Sequence, residues 1–442
     1  MENVAQNISY FATMKLKEKD YEYIWHPYTH QTDRSYAIPI VRGKKASLFD
    51  EDGNSYIDGI SSWWVNVHGH ANKFIAKKVY QQAKKFQHVI FTSFTHSPAI
   101  ELAELLLQKL PGNFNKIFYS DNGSTATEVA LKMGLQYWQN QGNSKRNKIL
   151  VFHNAYHGDT FGAMSVSERN IYTYAFREKL FDVVFIETPT QYNLSALKEL
   201  INKYQDELAC FIYEPLLQGA GGMKMHQPGH LDELLDFIKE RKIILIADEV
   251  LTGFYRTGKM FAGDFLQTPA DIICLSKGLT GGTMALGVTA CNSIIYNSFL
   301  GKEKTRTLYH GHSFTANPLA CTAATASLKL FEKARTKKNI ESLIEANTRF
   351  KERLQKWELK AKSIKNIRQT GTVVAFEIVT SEDDGYSNTI SADFASFCLS
   401  KGVFLRSLGN TIYIMPPYCI TTKELKKIFN VVINFLQTLP DR

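Results

Sequence analysis

Cysteine is scarce in this chain, with six in 442 residues. Cys210, Cys274, Cys291, Cys321, Cys398 and Cys419 stand far apart in mostly apolar segments, and none belongs to a C-x-x-C pair. That argues against a disulfide framework and a cysteine-rich zinc site; the thiols read as buried and reduced, and no metal is expected. No apolar run approaches the ~20 residues that a bilayer-spanning helix needs. The start, Met1-Glu-Asn-Val-Ala-Gln-Asn7, has no basic stretch and no hydrophobic segment, so no secretory leader is expected. There is no internal repeat and no low-complexity linker. Together these absences point to a cytoplasmic protein with no membrane partner.

The formal net charge is +9, but the basic residues cluster only mildly, at Lys333–Lys338 and from Lys351 to Lys365. Both clusters lie in helix-like stretches with Glu interleaved, as solvated helix faces do. No helix-turn-helix, zinc-finger or RNA-binding signature is present, so no nucleic-acid partner is expected. A basic balance also suits a pocket that receives small anions.

What the chain does have is alternation. From about residue 75 to 330, strand-like runs at 116–120, 148–153, 182–187, 209–213, 243–248 and 271–275 are separated by helical stretches. This predicts an α/β fold with a mostly parallel sheet covered on both faces. The length suffices for two domains. Residues 1–70 read as an N-terminal segment packing against the smaller domain and the site. Residues 71–334 read as the large α/β domain, and 335–442 as a smaller α+β domain. In the last, a long charged helix precedes strand-like runs at 372–379, 403–406 and 412–415.

Reactive groups in such folds sit where strands end in loops. The run Asp271-Ile-Ile-Cys-Leu-Ser ends in Lys277 and a Gly-Leu-Thr-Gly-Gly turn. A lone strand-end lysine is usually solvated. A partly desolvated one can form a Schiff base. Another run, Ile243-Ile-Leu-Ile-Ala, leads into Asp248, with Val250 two positions on. A buried Asp needs a cationic or hydrogen-bonding partner. The protonated ring nitrogen of pyridoxal phosphate (PLP) is such a partner, while a lysine holds its aldehyde. A third strand-like run, 116–120, opens into Asp121-Asn-Gly123-Ser124-Thr-Ala-Thr-Glu128 and then a helical pattern. Backbone N–H groups at a helix start favour a phosphate. Ser124 with Thr127 or Glu128 is equally readable as an ordinary helix cap.

Beyond these groups, motifs in order along the chain resemble one family. They include Trp25-His-Pro-Tyr28, Ser61-Ser-Trp63-Trp64, Tyr156-His-Gly-Asp159, Glu214-Pro-Leu-Leu-Gln-Gly-Ala220, Ala247-Asp-Glu-Val250, Thr252-Gly-Phe-Tyr-Arg256 and Met415-Pro-Pro-Tyr418. The chain resembles the class III, fold type I, PLP-dependent aminotransferases. Within them it resembles the biotin-synthesis subgroup. Leu251 stands where many relatives carry Gln, and Ala220 where many carry Glu. His312-Ser313 and Ser407-Leu408 depart from the family's usual Pro-Thr and Pro-Phe.

The resemblance implies PLP as cofactor, with Lys277, Asp248 and Tyr28 as catalytic residues. It implies cofactor contacts from Gly123, Ser124, Tyr156, Asp248, Val250, Lys277, His312 and Ser313, the last two supplied by the partner subunit of a homodimer with shared sites. Substrate contacts would come from Tyr28, Trp63, Tyr156, Lys277, Gly311 and Arg406, with Arg406 taking a carboxylate and Arg256 in support. The implied acceptor is 8-amino-7-oxononanoate, converted to 7,8-diaminononanoate, and the implied donor is S-adenosylmethionine, with lysine as the alternative. Rival readings are another ω-amine transferase of the class, a PLP isomerase or decarboxylase, and a non-catalytic PLP-binding regulator. Leu251 and Ala220 argue against the first; the last would need an added domain for which the chain has no room.

Overall fold

The computed structural model describes residues 15–32, 37–381 and 388–439; the N-terminal stretch read above for a leader lies outside the described residues. An antiparallel meander comes first: β1 (Ile40–Lys44), β2 (Ser47–Asp50) and β3 (Ser55–Asp58). The Asp50 carboxylate closes the β2–β3 turn by accepting from the backbone N–H groups of Asp52 (3.1 Å) and Asn54 (2.8 Å).

The βα alternation then runs through β4 (Phe114–Ser120), β5 (Lys148–Phe152), β6 (Val184–Ile186) and β7 (Leu208–Tyr213). A small ribbon, β8 (Leu217–Gln218) with β9 (Lys224–Met225), follows, and then β10 (Ile244–Asp248), β11 (Ile272–Leu275) and β12 (Gly287–Asn292). Seven of these strands form one sheet in the order β4-β12-β11-β10-β7-β5-β6. Pairings from β11 across to β6 are all parallel, whereas β12 runs antiparallel to both β11 and β4. The sequence reading had no strand at 287–292. Its Gly-Val-Thr-Ala-Cys-Asn run is short and built of small residues. It returns directly from the loop after β11, without the helix that marks the other strands.

Strands β7, β10 and β11 are buried throughout, which is why they read as continuous apolar runs. One face of the sheet is covered by the helix Gly123–Asn140, whose Val129, Ala130 and Met133 pack in one cluster with Ile149, Ile212 and Ile246. The other face carries helices Ser97–Leu107 and Pro228–Glu240 over Phe152 and Phe211, whose rings meet edge-on at 4.9 Å.

The C-terminal part holds β13 (Ile364–Thr370), β14 (Val373–Ile378), β15 (Val403–Phe404) and β16 (Thr411–Ile414). A three-stranded antiparallel sheet, β13-β14-β16, packs with helices Ala334–Ala361 and Thr422–Leu436, whose Phe350 and Phe429 rings stack at 4.1 Å. Strand β15 does not join it. It pairs in parallel with β3, Val403 opposite Ile57 and Phe404 opposite Asp58. Gly59 permits the close approach: its N–H donates to Phe404 O at 2.9 Å, and a Cβ there would lie 2.5 Å from Leu405 Cδ2. The meander and the C-terminal part are thereby joined in one sheet.

Glu249, just past β10, is fully buried and accepts from the N–H groups of Ala262 (2.6 Å) and Gly263 (2.8 Å). Burial pushes its carboxyl up to about 7 from an ordinary 4.5. The folded state thus favours the protonated form, and the stability it contributes is complete below pH 4.5 and is lost as pH rises through about 7. Glu249→Gln removes this loss. Its melting temperature, followed by calorimetry, is expected to gain on the parent's as pH rises across that window. A gap that stays constant with pH would show that Glu249 does not titrate there.

Candidate active site

The parallel strands of the large sheet end along a common edge, and the residues just beyond those ends converge. Gly123 and Ser124 follow β4, Tyr156 and His157 follow β5, Glu214 follows β7, Asp248 closes β10, and Lys277 follows β11. All line an inner chamber of about 650 Å³. An outer chamber of about 1090 Å³ adds Tyr28, Tyr172 and Arg406. Trp63, Trp64, Tyr156, Asp159, Ala220 and Lys277 line both. The two chambers are one cleft with Lys277 at the junction.

Lys277 occupies the left-handed backbone region, with φ 39°. For a residue with a side chain this is strained, and strain of that kind collects at functional sites. Its Nζ lies 4.6 Å from the centre of the Trp64 ring. Burial lowers the pKa of its ammonium, an effect opposed by the carboxylates of Asp248 and Glu214. Behind it, Asp248 Oδ2 accepts from His157 Nδ1 at 2.7 Å, and Oδ1 accepts from Val250 N at 3.0 Å. His157 Nε2 has no hydrogen-bond partner among the described residues. Glu214 accepts from Tyr156 N (3.1 Å) and Gly219 N (2.9 Å), and burial raises its carboxyl to about 7.

At the far side of the inner chamber the helix Gly123–Asn140 begins. Its cap is Asn122, whose Oδ1 accepts from Thr125 N at 3.0 Å while Thr125 Oγ1 accepts from Asn122 N at 3.1 Å. The capping candidates Ser124, Thr127 and Glu128 do not cap it. Ser124 Oγ instead accepts from Asp159 N at 3.2 Å, and Glu128 Oε1 accepts from Gly162 N at 2.8 Å and Ala163 N at 3.0 Å. The N–H groups of Gly123 and Ser124, which belong to the first helical turn, are therefore available to an anion.

In the outer chamber, Asp159 Oδ2 accepts from the hydroxyls of Tyr28 and Tyr156, the latter at 3.0 Å. Burial, first of all, raises both phenols above their ordinary range. The Tyr28 ring contacts Trp63 at 5.6 Å and Tyr172 at 5.4 Å. The Arg406 guanidinium sits 4.9 Å from the Trp63 ring centre. Three residues of the double-tryptophan turn have left-handed φ: Ser61 (54°), Ser62 (59°) and Trp64 (68°). Each such residue costs about 1–3 kcal/mol and persists only where its surroundings over-determine it. Here Ser61 Oγ donates to Met415 O (2.9 Å), Trp64 Nε1 to Tyr413 OH (3.0 Å), and Arg256 Nη2 to Trp64 O (3.3 Å). Arg256 is thus buried behind the turn and lines neither chamber. Leu251 packs against Gly219, where a Cβ would lie 2.1 Å from Leu251 Cδ2.

Of the residues expected from sequence, Gly123, Ser124, Tyr156, Asp248, Val250 and Lys277 come together in the inner chamber. Tyr28, Trp63 and Arg406 meet Tyr156 and Lys277 in the outer one. Val250 lies in the turn after β10, not within the strand. Gly311, His312 and Ser313 line neither chamber of this chain. His157, Asp159, Glu214 and Tyr172 were not singled out. The first three stand inside quoted motifs, so the signal was there; Tyr172 has none.

The family model of class-III aminotransferases matches residues 28–436, and the chain belongs to that family. Its curated relatives include the adenosylmethionine-8-amino-7-oxononanoate aminotransferase of Synechococcus elongatus, 42% identical over 94% of this chain and 99% of its own length. The enzyme of that name from Staphylococcus aureus is 35% identical, over 97% and 99% of the two chains. The crystal structure of the Methanocaldococcus jannaschii enzyme, again of that name, superposes with a TM-score of 0.90 at 35% identity, covering 96% of this chain and 98% of its own. The cofactor is pyridoxal phosphate. The inner chamber fits it, with a helix start at one end for the phosphate, the His157-backed Asp248 at another for a cationic ring nitrogen, and Lys277 between. Among the described residues no helix is long and apolar enough to cross a membrane.

Two substitutions test this arrangement. Lys277→Ala is expected to abolish turnover while the protein still binds the cofactor non-covalently, as read by absorbance after desalting. Measurable steady-state transamination would remove Lys277 from its assigned place. Asp248→Asn is expected to lower kcat by about 10²–10³-fold, in line with the loss of one preorganised electrostatic partner. A near-parental rate would mean that another group faces the ring nitrogen.

Proposed function

We propose that this enzyme transfers an amino group from S-adenosylmethionine to 8-amino-7-oxononanoate, yielding 7,8-diaminononanoate for biotin synthesis, as a cytoplasmic homodimer. The observation that carries the reading is the two-chamber cleft with Lys277 at its junction. The names of the relatives supply the substrates. Residues 71–334 form the cofactor domain in this reading, with 1–70 and 335–442 closing the substrate side.

When bound, the cofactor supplies an electron sink conjugated to the amine-bearing carbon and a carrier for the amino group. Asp248 would face the ring nitrogen, and the hydrogen bond from His157 Nδ1 keeps its carboxylate oriented. Gly123 and Ser124 would hold the phosphate, joined by the partner subunit's His312 and Ser313, and Tyr156 and Val250 would contact the ring. Lys277 Nζ takes the proton from the donor's amine-bearing carbon and, in the second half, returns one to the acceptor carbon. Its lowered pKa keeps more of the amine in the neutral form that a base requires.

Arg406 receives the substrate carboxylate in a bidentate fork. Tyr28 and Trp63 flank the alkyl chain, and Gly311 of the partner subunit borders it. With Leu251 and Ala220 beside the junction, this chain places no carboxylate at position 220 to pair with Arg406, so the arginine stays open to substrate in both halves of the reaction.

Arg406→Ala is expected to raise the KM for 8-amino-7-oxononanoate by an amount on the order of 2–5 kcal/mol, with unchanged cofactor content. An unchanged KM would move carboxylate recognition elsewhere. The donor is tested by single-turnover absorbance, mixing the cofactor-loaded enzyme with each amine separately. S-adenosylmethionine is expected to convert the cofactor to its amine form. Conversion by lysine and none by S-adenosylmethionine would replace the donor and leave the acceptor standing.

A further inference from the structure

We propose that Asp58, which touches neither chamber, is the positioning residue of the substrate side: its carboxylate sets the Ser61–Trp64 turn, and through it the Trp63–Arg406 stack that receives the substrate. The inference deepens the proposed function and rests on its placing of substrate in the outer chamber.

Asp58 is fully buried at the end of β3. A buried carboxylate must be neutralised by hydrogen bonds or by charge. Asp58 has four donors. Oδ1 accepts from Ile60 N (3.2 Å) and Ser62 N (2.8 Å), while Oδ2 accepts from Ser62 Oγ (3.0 Å) and His70 Nε2 (2.8 Å). Two of these donors belong to the turn itself, and a third, Ile60 N, immediately precedes it. They lie on or beside the residues with left-handed φ, so the carboxylate replaces the backbone partners that the strained segment cannot find in a regular ladder.

The same residue sits on the strand pairing that brings Arg406 in. Phe404 lies opposite Asp58 in the β3–β15 ladder, and the next residue, Gly59, donates to Phe404 O at 2.9 Å. Trp63 leaves this junction along one strand and Arg406 along the other. Their contact at 4.9 Å depends on both exits being correct. A turn that relaxed to ordinary φ values would carry Trp63 away from the guanidinium and from Tyr28. A carboxylate ligand is then met by an arginine whose plane is no longer held, and binding suffers before chemistry does.

Asp58→Asn keeps the side chain's size and two acceptor positions on one oxygen, but turns an amide donor toward Ser62 Oγ or His70. The KM for 8-amino-7-oxononanoate is expected to rise about ten-fold or more, with kcat changed less than about three-fold. Cofactor content is expected to stay at the parental level, because the inner chamber is untouched. The Trp63 signal is read independently of activity, as the difference in emission and acrylamide quenching between each protein and its Trp63→Phe derivative. In the Asp58→Asn background this difference is expected to shift to the red and quench more readily. Ser62→Ala, which loses only the hydroxyl bond, serves if Asp58→Asn does not fold, and is expected to shift both readouts in the same direction by less.

An unchanged KM overturns the proposal, and so does an unchanged Trp63 signal. A fall in kcat together with cofactor content also overturns it, since that marks a general structural loss. If the parental enzyme does not act on 8-amino-7-oxononanoate, the substrate reading fails. The Trp63 signal then decides the role of Asp58 alone.

Discussion

One constraint governs the centre of this molecule: an amine and two carboxylates share a chamber with little water to solvate them. Burial disfavours the charged forms of Lys277 and Glu214 there, and the carboxylates of Asp248 and Glu214 partly offset that cost for the lysine. The fold meets this constraint with hydrogen bonds from rigid elements. Asp248 leans on His157 and the Val250 backbone, and Glu214 on two backbone N–H groups. Lys277, at the junction of the two chambers, has no carboxylate at salt-bridge distance among the described residues, so of the three groups it is the one the scaffold leaves least committed.

The rest of the structure places surfaces around that amine. Strand β12 ties the Lys277 loop to the Gly123 turn, since it pairs with β11 on one side and with β4 on the other, Gly287 opposite Ser120. The spacing between that helix start and the lysine is thereby written into a hydrogen-bonded ladder. The substrate side is built differently. Its walls come from strained turns and from side chains that hold one another, Tyr28 and Tyr156 on Asp159, Arg406 on Trp63. A rigid cofactor floor below an adjustable substrate wall suits a site that must accept two unlike molecules in succession.

Much of the floor was legible in the sequence, and for a physical reason. Parallel strands buried on both faces leave continuous apolar runs, and reactive residues follow their ends, so Asp248, Lys277 and the Gly123 turn announced themselves. Strand β12 did not, because antiparallel return without a helix removes the punctuation that marks the others. The cap went to Asn122 and not Ser124 because the helix starts two residues earlier than a Ser124 cap would set it. The wall was legible only by resemblance. Trp63 and Arg406 are brought together by the pairing of β3 with β15, a register that no local pattern encodes. Tyr172 meets Tyr28 across a stretch distant in sequence, and a single chain shows nothing of that contact until it is folded. Gly311, His312 and Ser313 border neither chamber of this chain.

The pairing of residue 57 with residue 403 also orders events during synthesis. The meander β1–β3 is synthesised before the large sheet, yet one edge of it has no partner until residue 403 has followed. The seven-stranded sheet, whose last strand ends at Asn292, can assemble while translation continues. The substrate wall must wait for the last strands. For that interval the nascent chain carries an uncapped β-edge beside its tryptophan turn, a surface suited to adding a foreign strand. The enzyme's most exacting feature is thus also its last to form, and the stage most in need of a chaperone's protection precedes any substrate binding.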